Sequence, residues 1–144
     1  DIQLTLSQQV PLTGAVVVTT PQDIALIDAK KGLRMFQKVN VPILGIIENM
    51  SVFICPHCGE VEHIFGEGGA KRMSEQYGVP LLGELPLSAK IREQADSGLP
   101  TVAAEPDGKE ALMYREMAMK VAGALARITK DYTAKMPGIR VVND

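Results

Sequence analysis

The chain has no tryptophan, three tyrosines, three phenylalanines, two cysteines and two histidines in its 144 residues. So few flat rings leave little with which to stack bases or sugars, which argues against a stacking surface as the basis of function. Two cysteines cannot build the disulfide framework of a small secreted domain, so reduced thiols and a cytoplasmic setting are expected. Neither charge sign is in excess: 15 Lys and Arg against 17 Asp and Glu give a net charge of -2. That lacks the basic footprint of a nucleic-acid binder. No apolar run approaches the roughly 20 residues of a bilayer-spanning helix, and no basic-then-apolar leader opens the sequence. No nucleic-acid or membrane partner is expected. With 46% hydrophobic residues the chain can fill a core, unlike a disordered segment, and its length suits one domain.

What is present is concentrated. Both cysteines fall in Cys55-Pro56-His57-Cys58-Gly59. Two thiolates separated by two residues can hold one metal centre from one side, and glycine after the second accommodates the tight turn. Zinc sites and iron–sulfur clusters take about four protein ligands, so this knuckle is half a site. The remainder comes from elsewhere in the chain, with His63 or His57 as candidates, or from a second chain. Structural zinc and a thioredoxin-type redox pair are the rival readings. The redox pair needs the first cysteine at a helix N-terminus, and Gly59-Glu60-Val61-Glu62-His63 is a poor helix start. By default both histidines read as solvated loop residues.

Around the knuckle, strand alternates with helix. Gly14 to Thr20 is a β-branched run expected to be a strand buried on both faces. Pro21 and Asp23 open a helix with Ile24, Ile27, Leu33, Met35 and Phe36 on its apolar stripe; Asp23 is expected to cap it and Asp28 to face water. Ile43 to Ile47 is a second buried strand. Residues 51–65 read as a loop or small hairpin. Gly66 to Gly69 leads into a helix to Tyr77, closed by Gly78. Pro80 to Pro86 is a third strand, and Ser88 N-caps a short helix that stops at Gly98. The longest helix begins at Asp107, with Ala111, Leu112, Tyr114, Met117, Ala118, Val121, Ala122, Leu125 and Ile128 inward; Met113, Met117 and Met119 are read as packing. Lys30-Lys31 and Lys71-Arg72 are solvated faces. The expected fold class is therefore α/β, a parallel sheet with flanking helices. Three strands are few for such a sheet, and Asp1 runs straight into a short helix, so an N-terminal half is expected to precede the chain.

Thr19-Thr20-Pro21-Gln22, Asp28-Ala29, Gly45-Ile46-Ile47-Glu48-Asn49-Met50-Ser51, the cysteine knuckle, Phe65-Gly66-Glu67-Gly68-Gly69 and Leu82-Gly83-Glu84-Leu85-Pro86-Leu87 follow in one order. That order resembles the C-terminal half of the Mrp/ApbC family of iron–sulfur P-loop ATPases, relatives of the Min and Par ATPases. The resemblance implies that residues 1–132 are the C-terminal half of a P-loop NTPase domain, with a metal-binding insertion at 51–65 and a mobile tail at 133–144. It also implies Cys55 and Cys58 as metal ligands, and Asn49, Pro86 and Leu87 as contacts to the adenine of ATP. By the same resemblance the whole protein is a homodimer that bridges a [4Fe–4S] cluster and hands it to apo iron–sulfur proteins, using ATP and magnesium. The family's phosphate loop, a Gly-x-x-x-x-Gly-Lys-Ser/Thr pattern, does not occur here, and Gly108-Lys109 is followed by Glu110. ATP hydrolysis by this chain alone is thus not expected. Two alternatives remain: a Min/Par-like nucleotide switch stapled by zinc, and a thiol redox module. The mixed charges of the last helix offer neither the basic membrane helix nor the DNA-binding surface that a positioning switch would carry.

Overall fold

The computed structural model describes residues 2–135. Its elements run α1 (Ile2–Gln9), β1 (Ala15–Thr19), α2 (Asp23–Lys38), β2 (Ile43–Glu48), β3 (Phe53–Ile54), β4 (Val61–Glu62), α3 (Gly69–Tyr77), β5 (Leu81–Glu84), α4 (Ala89–Asp96), α5 (Thr101–Ala104) and α6 (Lys109–Lys135). The strands β1, β2 and β5 form a parallel sheet in that order, and β3 and β4 pair separately as an antiparallel hairpin. Each parallel pairing needs a crossover, and α2 supplies the first and α3 the second.

One core joins these elements. Val17 of β1, Ile46 of β2, Leu26 and Leu33 of α2, and Ala70 and Met73 of α3 pack together, with Ala29, Ile43, Tyr77, Val79 and Leu81 against them. Removing these side chains from water supplies the main drive for holding the helices on the sheet. Along β2 the helix α6 also packs, and it reaches β5, where Met117 lies so close to Gly83 that a Cβ there would sit 2.3 Å from Met117 Cγ.

Several expectations are corrected. β1 is not buried on both faces, because it is an edge strand and Val18 is 59% exposed. On α2, Leu26 and Leu33 face the core while Ile24 and Ile27 stand in solvent. On α6 the buried positions are Ala111, Met117 and Ala124, whereas Leu112, Ala118, Met119 and Ala122 are exposed. Both helices carry apolar residues around much of their circumference, so periodicity alone leaves the buried face ambiguous. Asp23 does not cap α2 either: Gln22 takes the N-cap position, without a side-chain hydrogen bond. Ser88 does cap α4, accepting from the Ile91 N–H at 3.3 Å. Of the stretch expected as a tail, residues 133–135 belong to α6, and 136–144 lie outside the described residues.

Candidate functional site

The carboxyl ends of the three parallel strands lead into the segments 19–22, 48–51 and 85–87 and into the cysteine hairpin. Ligands bind at such ends in open α/β sheets, because the loops that leave the strands converge there. Backbone pairing continues past the strands themselves. The Asn49 N–H donates to the Thr19 carbonyl at 2.7 Å, the Leu85 N–H to Glu48 at 2.8 Å, and the Ser51 N–H to Leu85 at 2.9 Å. Leu87 then donates to Val52 at 2.8 Å, and Phe53 and Leu87 form a parallel bridge. The stem of the cysteine hairpin and the segment after β5 are thereby one ladder.

The hairpin that rises from this ladder carries the thiols. Phe53 pairs with Glu62 and Ile54 with Val61; the Cys55 N–H donates to Glu60, and the Gly59 N–H returns to the Cys55 carbonyl, both at 2.9 Å. Gly59 has φ of 75°, a conformation that a side chain resists, so glycine closes this turn. Both thiols are free; Cys55 is half-buried and Cys58 exposed. The Cys55 thiol is held below its ordinary value chiefly by the backbone N–H of Cys58, then by that of His57 and by the Cys58 thiol, while burial and the Glu62 carboxylate oppose. Hydrogen-bond donors aimed at a sulfur favour the thiolate, the form that binds metal. His57 is exposed. His63 lies beside Glu67, with Nε2 3.8 Å from Oε1. Among the described residues no group of three or more His, Cys, Asp or Glu side chains is placed to hold a metal. The described residues thus bring two soft donors together, Cys55 and Cys58, with no third such side chain beside them.

Beside the hairpin are two clefts that share Ile54, Pro86 and Glu110 in their linings. One, of about 260 Å³, also has Ser51, Val52, Leu85 and Met113; the other, of about 360 Å³, has Phe53, Pro56, Leu87, Ala89 and Lys90. Leu87 is half-buried. Asn49 directly follows β2, and its Oδ1 accepts from the Met50 N–H at 2.9 Å. That bond caps the strand's end through a side-chain amide.

A further residue went unread in the sequence. Glu48 is 1% exposed, and its Oε2 accepts from the Ala70 N–H at 2.8 Å. Ala70 lies in the first turn of α3, where N–H groups lack partners within the helix. The N-cap there is Gly68, in the left-handed region at φ 67°, and it has no side chain with which to cap. Beside it, a Cβ on Gly69 would approach Leu26 Cδ1 to 2.7 Å and the Pro21 carbonyl oxygen to 3.0 Å. The Gly-rich turn before α3 looks like a phosphate cradle, but the protein's own carboxylate already fills that helix N-terminus. A signal was there to find: a glutamate at a strand's end, followed by a helix whose start has only glycines.

A three-stranded parallel sheet with crossover helices is the architecture of part of a P-loop NTPase domain. The comparisons with known proteins name the family. Residues 1–122 match the ParA family model described as NUBPL iron-transfer P-loop NTPase, and the chain belongs to that family. An iron-sulfur cluster carrier protein of Pseudomonas fragi is 59% identical over 119 residues, which are 83% of this chain and 42% of that protein. Among solved structures, the Archaeoglobus fulgidus nucleotide-binding protein in complex with ADP has a TM-score of 0.62 at 33% identity, covering 73% of this chain and 42% of that one. The Pyrococcus furiosus cell division ATPase MinD has a TM-score of 0.60 at 26% identity, covering 77% and 43%. The chain thus spans about two fifths of the length of these proteins, and the fold expected from the sequence, a parallel sheet of P-loop NTPase type, is the one found.

Proposed function

We propose that this chain is the metal-holding part of an iron–sulfur cluster carrier. The observation that carries the proposal is the pair of adjacent thiols, Cys55 and Cys58, with N–H donors toward Cys55 and no third donor gathered beside them among the described residues. Soft thiolates suit iron–sulfur chemistry, and two copies facing each other complete a Cys₄ set for a [4Fe–4S] cluster as cargo. A site split across a symmetric interface opens without unfolding either subunit, which suits release to apo iron–sulfur proteins. The name of the Pseudomonas fragi relative supports this reading.

In the whole protein, a cytoplasmic homodimer on this reading, ATP with magnesium regulates that interface. The base rests against Pro86 and Leu87, with the Asn49 amide nitrogen donating to a ring nitrogen of the adenine. That the Archaeoglobus fulgidus neighbour is a nucleotide-binding protein in complex with ADP supports nucleotide binding by the whole protein. Phosphate contacts carry much of the grip of such sites, and their pattern does not occur in this sequence, so the chain on its own binds ATP weakly.

Anaerobic reconstitution with iron and sulfide, followed by metal, sulfide and native-mass analysis, tests the proposal. One four-iron cluster per two chains is expected. A monomer that keeps a single zinc and loses it on His63→Ala would overturn it.

A further inference from the structure

Among the described residues Glu48 is the only charged side chain buried in the protein, 1% exposed, and it bonds the backbone of Ala70, a member of the core that α2, β2 and α3 share. Burying a carboxylate is costly unless it is well hydrogen-bonded, so its presence calls for a role that an apolar residue could not fill. Its bond to the Ala70 N–H joins residues 22 apart in sequence. Between them lies the whole insertion that carries Cys55 and Cys58.

The two ends of that insertion are fixed by different means. At the entry, Asn49 and Ser51 are bonded to the backbones of the neighbouring strands at Thr19 and Leu85. At the exit, the turn Gly66-Glu67-Gly68-Gly69 has three glycines and no side-chain cap for α3. Within it the Gly66 N–H donates to the His63 carbonyl at 3.1 Å and Arg72 Nη1 to the Glu67 carbonyl at 2.8 Å, but no side chain of the turn reaches the first N–H groups of the helix. Glu48 holds it from below. The carboxylate favours the positive end of the helix and keeps the first turn of α3 where Gly69 fits between Leu26 and the Pro21 carbonyl. The hairpin itself has only two ladder pairs, and Val61 to Ile64 are exposed, so its placement depends on these anchors together with the Val52–Leu87 bond and the Phe53–Leu87 bridge at its stem.

We infer that Glu48 is the positioning residue of the metal hairpin, a buried latch that fixes where the cysteine pair stands relative to the sheet without touching the metal. The inference rests on the reading of Cys55 and Cys58 as metal donors.

Anaerobic Co²⁺ titration of the full chain, followed through thiolate-to-cobalt absorption, tests it with three variants. Glu48→Ala is expected to weaken Co²⁺ binding about tenfold, whereas Glu48→Gln, which keeps an oxygen acceptor at the same reach, stays within about twofold of the wild type. Met73→Ala is the control. It empties buried volume on the same helix and lowers stability, measured by denaturant, yet leaves the Glu48–Ala70 bond and hence the Co²⁺ affinity in place. Should Glu48→Ala fail to fold, Glu48→Asp withdraws the carboxylate by one methylene and is expected to show a smaller loss of affinity. Undiminished affinity in the Ala or Asp variant, or an equal loss in Met73→Ala, would overturn the inference alone. A wild-type chain that binds no Co²⁺ would overturn the metal reading and the inference with it.

Discussion

Leu33 and Ile46 are fully buried and Met73 is 1% exposed, whereas Val61 and Ile64, apolar residues on or beside the hairpin, are 53% and 52% exposed. The first group is held by packing, in which every lost contact has a cost. The second is held by a few backbone hydrogen bonds and by anchors at its ends. Elements with little buried surface open at low free energy, and binding loops are drawn from them. On the proposed function, a hairpin that takes up and releases a metal cargo is better placed outside the core than within it, provided that something rigid sets its position. Here the rigid part is the neighbouring ladder of Leu85 and Leu87 on one side and the Glu48–Ala70 bond on the other.

This contrast can be broken from either end. The largest effect is expected at the thiols: Cys55→Ala or Cys58→Ala should abolish cluster binding on reconstitution while leaving the thermal unfolding midpoint nearly unchanged. His63→Ala should bind as the wild type does. Iron and sulfide analysis reads the first result and calorimetry the second; a cysteine variant that unfolds early would place the hairpin within the cooperative core. Next comes the core itself. Leu33→Ala should cost about 3 kcal/mol by denaturant unfolding, since the side chain is fully buried and such truncations remove transfer energy and leave a cavity. The folded fraction should still load cluster, and a loss of loading per folded molecule would show that core and hairpin are not separable.

A finer test lies within the pair. The donors around Cys55 hold its thiol below the ordinary value of 9.0, so more of it is thiolate at neutral pH. In the metal-free chain, iodoacetamide should label Cys55 ahead of Cys58, with the lead growing as pH falls through the ordinary thiol range; peptide mass mapping resolves the two sites. Equal labelling would mean that the N–H donors do not face the sulfur. The smallest effect is expected at the rim. Lys90 pairs with Glu105 and, at 3.8 Å, with Glu110, and the hydrogen bond to Glu105 raises its ammonium above 10.5. A raised folded value means that the stabilisation is complete below the unfolded lysine value and is lost as pH rises through the folded one. Lys90→Met should therefore lower the unfolding midpoint slightly near neutral pH and not at all in strong alkali, because exposed ion pairs are worth little. A difference that persists in strong alkali would assign the effect to the packing of the lysine stem.

Much of this was legible beforehand for local reasons. The alternation of β-branched runs with helical stripes set the parallel sheet, Ser88 announced a cap, and two cysteines separated by two residues announced a pair of neighbouring thiols, since each depends on neighbours close in sequence. The hairpin was foreshadowed by the lack of helical period between Ser51 and Phe65. The outward faces of α2 and α6 were not legible. Ile24 and Met119 are as apolar as the residues that pack, and only the arrival of the sheet on one side decides which are buried.

By itself, then, the sequence determined the order of elements, the class of fold and the chemistry of the donor pair, all governed by backbone period and residue type. Only the tertiary structure decided that Val52 meets Leu87 and that Glu48 reaches the Ala70 N–H. Those contacts join segments that the chain brings together after long excursions. They depend on register and crossover geometry, which no local pattern encodes.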